Sequence, residues 1–233
     1  MKFMGQNFTP LHVSYSGAKK TESPVKHSHI GLRAALFSIF FLLIVFCYNF
    51  MQMEQLTLRV WNRSFADAGM FLIGISFVLS GLCYFYDFAD SKIVYRRDLG
   101  MNGFYMVALH SFYSFLLNKH IAWYVYFEKD RLIAFIPAVI SLLIFFVMAL
   151  VSNKYAGHWL GAKRWKTILR IGYIAFVLGG LHAGLWSYED WQMWYGEASL
   201  PPISLLITIF VVLVVLVRIV LWWVLKKKQN IKS

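Results

Sequence analysis

The chain runs Ile203-Ser-Leu-Leu-Ile-Thr-Ile-Phe-Val-Val-Leu-Val-Val-Leu-Val-Arg-Ile-Val-Leu-Trp-Trp-Val-Leu225 close to its end, and Lys226-Lys-Lys228 follows directly. About 20 predominantly apolar residues span the hydrocarbon core of a bilayer as an α-helix. A helix is the form required, because lipid offers no hydrogen-bond partner to a free backbone group. The stretch therefore predicts a membrane-spanning helix that ends in a basic cluster.

The rest of the chain has the same apolar character. Of its 233 residues, 59% are hydrophobic and 18% aromatic, while only 15% are charged. Five more apolar stretches cover residues 32–50, 68–88, 99–117, 132–151 and 165–187. The sequence therefore predicts an all-α, polytopic membrane protein. Its six-transmembrane-helix bundle would cover residues 31–228, between a cytoplasmic N-terminal tail (1–30) and a C-terminal tail (229–233).

The basic residues lie unevenly between the predicted loops. If the N-terminus is cytoplasmic, 18 of the 23 lysines and arginines lie on the inner side and 5 on the outer side. Cytoplasmic loops of membrane proteins carry an excess of lysine and arginine. The asymmetry predicts that both termini are cytoplasmic and that the protein lies in the inner (plasma) membrane. It also explains the net charge of +12 without a nucleic-acid partner.

Two histidines, His110 and His182, lie inside the third and fifth predicted spans. These spans run in the same direction, and the two side chains differ in predicted depth by about 3 Å at the rise of an α-helix. Level imidazoles on neighbouring helices suit the axial ligation of a haem iron. Gly180 and Gly184 flank His182 and would let a large cofactor approach the helix. In the alternative interpretation, each histidine only hydrogen-bonds a neighbour or a cavity water.

The residues around both histidines resemble a known family, the ferric reductase-like transmembrane domain of MsrQ (YedZ), the STEAP metalloreductases and the NADPH oxidases. In that family, span three carries a histidine, a glycine four residues later, and a second histidine ten residues after the glycine. Gly100 and His110 match the second half of this pattern. Span five of MsrQ-like members resembles the stretch here at Trp165, Arg170, Tyr173, Leu181 and His182.

The chain departs from the family at two positions. The first family histidine of span three falls at Arg96, and that of span five falls at Leu169. In members with two haems this pair holds the inner haem. The resemblance therefore implies a single haem b, in the outer half of the membrane, with His110 and His182 as ligands of its iron.

An inner site must then feed electrons to that haem. The resemblance implies a flavin (FMN or FAD) or a quinone at the inner ends of spans three and five, where Arg96, Arg170 and Trp165 are the candidate residues. Arginine binds phosphate through a fork of hydrogen-bond donors. The alternative is that these cations only follow the charge rule for cytoplasmic loops.

The expected function is a membrane oxidoreductase subunit that transfers electrons. Its donor would be a separate cytoplasmic flavin reductase or quinol, and its acceptor a periplasmic redox protein, a metal ion or oxygen on the outer side. The protein would supply ligands and electrostatics, while the cofactor supplies the redox chemistry. The alternative is a non-enzymatic membrane scaffold or a proton-conducting channel subunit, with the two histidines relaying protons.

Overall fold

The structure is a computed structural model that describes residues 25–117, 129–196 and 200–232. Within these ranges the regular elements are all helical. They are α1 (Val25–Met53), α2 (Leu58–Phe85), a 3₁₀ helix (Asp87–Tyr95), α3 (Arg96–Leu117), α4 (Lys129–Val151), α5 (Lys154–Trp186), α6 (Tyr188–Gly196) and α7 (Ile203–Lys232). The predicted all-α class is confirmed. Most of the predicted N-terminal tail, residues 1–24, lies outside the described residues.

Five of the described helices are long and apolar enough to cross a membrane. They are the segments His29–Met53, Leu58–Cys83, Arg131–Val151, Lys163–Trp186 and Ile203–Lys227. The third predicted span corresponds to α3, which is long enough but is less apolar than these five segments. The protein is therefore a helical membrane bundle with five candidate spans by length and composition.

Helix α2 is the centre of the bundle. In its most apolar stretch of 18 residues, 56% is buried, whereas the corresponding share is 17–28% in the other four candidate spans. It packs against α1, α3, α5, α7 and the 3₁₀ helix. The contact with α3 is closest at Gly69 and Gly103, where a Cβ atom added to Gly103 would lie 2.7 Å from the Gly69 carbonyl oxygen. Small residues allow two helix backbones this close an approach.

The two ends of the bundle are distinct, and we name them after the short helices that lie there. At the α6 end, the turn between α1 and α2 meets α6 and the start of α7: the Tyr48 hydroxyl donates to the Pro201 carbonyl at 2.7 Å, and Arg63 pairs with Asp190 at 3.8 Å. At the opposite 3₁₀ end lie the 3₁₀ helix and the turn between α4 and α5.

Several helix boundaries differ from the prediction. Helix α2 begins at Leu58, ten residues before the predicted start, because its polar first turns bond to neighbouring helices. Helix α5 begins at Lys154, where Asn153 caps it by accepting from the Ala156 N–H at 2.8 Å. It is kinked at Gly161, whose φ of 73° suits glycine. The predicted C-terminal tail continues α7 as far as Lys232.

Candidate functional site

His110 lies on α3 and its ring contacts the start of α2. Its Nδ1 atom is 3.0 Å from the backbone carbonyl oxygen of Asn62. A carbonyl oxygen only accepts, so Nδ1 carries the proton and Nε2 keeps its lone pair. The side chain of Asn62 donates to the Ser114 hydroxyl at 2.8 Å, which fixes the same stretch of α2 against α3. His110 is thus held in one orientation and one tautomer.

His182 on α5 is held in the same way by α4. Its Nδ1 atom is 2.9 Å from the Ala134 carbonyl oxygen, so this imidazole also has a free lone pair on Nε2. Its ring lies 5.9 Å from that of Trp186, and the guanidinium of Arg131 lies 5.9 Å from the same indole. Within the described part of the chain, neither Nε2 atom has a hydrogen-bond partner.

The packing register on α2 gives the depth of both histidines. Along α3, Gly100 lies opposite Ser76 and Ser114 opposite Asn62, which puts His110 about level with Ala66. Along α5, Tyr173 stacks on Phe77 and Gly179 meets Met70, which puts His182 about level with Ala68. Both helices run antiparallel to α2, and the two-residue offset is about 3 Å.

Helices α3 and α5 both pack against α2, so the two imidazoles belong to neighbours of the same central helix. The structure therefore brings the two predicted ligand residues to one depth in the half of the bundle at the α6 end. Each has one ring nitrogen bound to backbone and the other available.

Gly180 and Gly184 have a different role from the predicted one. A Cβ atom at Gly180 would meet Val211, and one at Gly184 would meet Trp191 at 3.1 Å. Both glycines therefore lie against α7 and α6, whereas His182 faces α4. Their small size is explained by close helix packing, and their placement does not support packing against a haem.

A cavity of about 800 Å³ lies between α2, α3, α4 and α5 at the 3₁₀ end. Its lining includes both positions at which the chain departs from the family pattern, Arg96 and Leu169. Trp165 also lines it and is fixed by donating from its indole N–H to the Val151 carbonyl at 3.0 Å. Arg97 and His158 add polar groups to a wall that is otherwise largely apolar.

Arg170, a predicted member of this inner site, is not part of the cavity lining and its side chain is exposed. The reason is helical spacing. Residues four apart lie on one face of a helix, so Trp165 and Leu169 share the cavity face of α5. Arg170 is turned about 100° from them. Of the three residues predicted for an inner site, Arg96 and Trp165 line the cavity and Arg170 does not.

The sequence analysis missed a buried polar cluster at the α6 end, between α1 and α2. The Asn49 amide donates to the Asp67 carboxylate at 2.9 Å and to the Ser64 hydroxyl at 3.2 Å. All three side chains are buried, with exposures of 5% or less. The available signal was Asp67 itself, an acidic residue three positions after Ser64 and directly before a long apolar stretch.

Among the described residues, there is no group of three or more His, Cys, Asp and Glu side chains that could hold a bare metal ion. A comparison with protein-family models gives no match, and a comparison with curated proteins gives none either.

Proposed function

We propose that this protein is a ferric reductase-like membrane electron carrier with one haem b between His110 and His182. The main support is a pair of hydrogen bonds, in which Nδ1 of His110 donates to the Asn62 carbonyl oxygen and Nδ1 of His182 donates to that of Ala134. A histidine that ligates a metal commonly donates its other ring N–H to a carbonyl, which fixes the tautomer and the ring orientation. Two such histidines, level and on parallel helices, form the donor set of a bis-histidine haem.

The residues present fit a haem at this position. The iron of a bis-histidine haem takes two neutral imidazole nitrogens from the protein, and two are available here. Arg131, stacked over Trp186 beside His182, supplies a positive charge near the α6 end for the negatively charged propionates of a haem. A haem bound here supplies one-electron chemistry, while the chain supplies the ligands, their orientation and a water-poor surrounding.

In this proposal α3 is a sixth membrane span. It runs antiparallel along α2 from Ser76 to Asn62, so it occupies the depth of a candidate span over most of its 22 residues. Its polar groups are directed at other helices: Asn102 donates to Ser38 at 3.0 Å, and His110 to Asn62. A polar helix is tolerated in a membrane where its polar groups face the bundle interior. Six spans would put both termini and the 3₁₀ end on the same side, and the excess of lysine and arginine there favours the cytoplasm.

The cavity at the 3₁₀ end is the proposed entry site for electrons. Arg96 and Leu169 would carry the inner haem ligands in a two-haem relative, and in this chain a cavity of about 800 Å³ lies there. A flavin or a quinone fits its largely apolar wall, and Arg96 and Arg97 favour an anionic group such as a flavin phosphate. Fourteen residues of α3, or about 21 Å, separate Arg96 from His110.

The proposed route is therefore from a cytoplasmic flavin reductase or quinol, through the cavity, to the haem site and then to an acceptor outside. The acceptor is a periplasmic protein, a metal ion or oxygen. The test uses liposomes that contain the protein and enclose a reductant, with ferricyanide outside. Wild-type protein whose cytoplasmic side faces the liposome lumen should reduce ferricyanide, and His110→Ala and His182→Ala should not. Equal rates in all three proteins would contradict the proposal.

A proton-conducting channel is the competing candidate, and the same liposomes distinguish it. A channel would dissipate an imposed pH gradient without any reductant, and the two alanine variants would stop this proton flow. An electron carrier leaves the gradient intact until a donor and an acceptor are both present.

A further inference from the structure

Asp67 is the only acidic residue within the five candidate spans. Its exposed fraction is 5%, and it lies nine residues inside α2, in the bundle core between α1 and α2. An ionised carboxylate is costly to bury unless it is paired or hydrogen-bonded. Such a group within a membrane span is a candidate for proton exchange.

The hydrogen bonds of Asp67 suit both of its protonation states. When Asp67 is ionised, its carboxylate accepts from the Nδ2 atom of Asn49. The Oδ1 atom of Asn49 is buried and has no partner among the described residues. If the amide turns by 180°, Oδ1 comes to the carboxyl group and accepts a hydrogen bond from protonated Asp67. A side-chain amide offers a donor at one end and an acceptor at the other, so neither state leaves the carboxyl unsatisfied.

One positive charge connects Asp67 with the surface at the α6 end. Arg63, one turn before it on α2, acts electrostatically on Asp67 and pairs with Asp190 of α6 at 3.8 Å. The exposed fractions of these side chains rise outward, from 5% for Asp67 to 28% for Arg63 and 45% for Asp190. Helix α1 contributes the neutral Asn49, which donates to the Asp67 carboxylate.

Asp67 is level with the two histidines. The register on α2 puts His110 opposite Ala66 and His182 opposite Ala68, so the carboxyl lies between their levels on the helix that packs against both α3 and α5. Charges interact strongly across a low-dielectric interior. A negative charge added at the histidine pair therefore favours the neutral form of Asp67.

We propose that Asp67 is a proton-binding site that takes up one proton from the outer aqueous phase when an electron reaches the site held by His110 and His182. This inference rests on the proposed function. A haem held by the two histidines would accept the electron, and one proton from outside water adds to a carboxylate oxygen of Asp67. Oxidation by the outer acceptor releases the proton to the same side. The charge of the bundle core is then the same before and after each electron transfer.

The test is a redox titration of the haem of the full-length protein in detergent, repeated over the pH range in which it stays folded. Proton binding and reduction are thermodynamically linked. If reduction strengthens proton binding, then proton binding favours reduction by the same free energy. The midpoint potential of wild-type protein should fall as pH rises. A tenfold difference in proton affinity between the two redox states corresponds to a total change of about 59 mV in that potential. Asp67→Asn mimics the protonated acid, so its potential should be independent of pH and close to the low-pH value of wild type.

Two further variants make the test specific. Asp98→Asn removes a carboxylate at the opposite end, near Gly31, and should leave the pH dependence unchanged. Asp190→Asn frees Arg63 to act on Asp67 alone, which favours the carboxylate and should move the pH-dependent region to lower pH. The infrared difference spectrum between reduced and oxidised wild type should show a protonated carboxylic acid on reduction, which serves as the readout if Asp67→Asn does not fold.

A haem whose potential has the same pH dependence in wild type and Asp67→Asn would overturn this inference and leave the proposed function intact. The absence of a carboxylic acid band in reduced wild type would overturn it as well. If the protein binds no haem, the proposed function and the inference both fail.

Discussion

The Nδ1 atom of His182 lies 2.9 Å from the backbone carbonyl oxygen of Ala134, five residues after the start of α4. His110 has the same relationship with Asn62, four residues after the start of α2. Both carbonyls lie in the early turns of helices that begin at the α6 end. The two imidazoles are therefore fixed at one depth by the backbone of two different helices, and their Nε2 atoms are left free to bind.

Replacement of either histidine should remove the haem. In His110→Ala or His182→Ala the iron loses one of two axial ligands, so haem content after purification should fall to the background level. The haem content is measured by the pyridine haemochrome method, with protein content determined in parallel. The matched control is His158→Ala, an exposed histidine at the 3₁₀ end, which should retain wild-type haem content. Full haem in either of the first two variants would refute the ligand assignment.

The contact between α2 and α3 should tolerate no added side chain at Gly103. A Cβ atom there would lie 2.7 Å from the Gly69 carbonyl oxygen, which is backbone and cannot turn away. Overpacking of this kind costs about 1–3 kcal/mol, so Gly103→Ala should lower the midpoint of thermal unfolding in detergent. Gly157→Ala is the control, because no atom lies within 4 Å of its added Cβ, and it should be neutral or stabilising by up to about 1 kcal/mol. Equal midpoints for the two variants would contradict this packing.

The cavity at the 3₁₀ end should require Arg96 to bind an anionic cofactor. A hydrogen bond to a charged group contributes about 1.5–3 kcal/mol, so Arg96→Leu should weaken the binding of FMN about tenfold to a hundredfold. Binding is followed by the quenching of flavin fluorescence in detergent. Arg170→Leu is the matched control, because this exposed arginine does not line the cavity. Equal loss in both variants would mean that general positive charge, and not the cavity, attracts the flavin.

The number of spans determines where the termini lie. With α3 as a sixth span, reporters fused to the N- and C-termini should both be active only in the cytoplasm. Lys92→Cys in the 3₁₀ helix, in a background without Cys47 and Cys83, should be labelled only from the same side. Termini on opposite sides would show that five helices cross the membrane and that α3 does not.

The apolar spans were predictable from sequence because the bilayer sets both their length and their composition. Four of the five candidate spans contain nearly the whole of the stretch predicted for them. The start of α2 was not predictable in this way, since Asn62, Arg63, Ser64 and Asp67 resemble a polar loop. They are helical because Asn49 of α1 and Ser114 of α3 bond to them, and a single sequence does not show which helices are neighbours.

The depth of the two histidines followed from counting residues, because the rise of a helix is constant. The direction of side chains was harder to predict. The cavity face of α5 is defined by Trp165 and Leu169, four residues apart, and this spacing could have excluded Arg170. By contrast, the contacts of Gly180 and Gly184 with Val211 and Trp191 depend on the position of α6 and α7, which local sequence does not specify.

The most direct test of the account is the reduced-minus-oxidised absorption spectrum of the protein purified in mild detergent, with a pyridine haemochrome count per chain. The account predicts one haem b per chain with the bands of a low-spin, bis-histidine iron. Two haems per chain would show that Arg96 and Leu169 do not mark a lost site. No haem, even after haem is supplied during expression, would contradict the central claim.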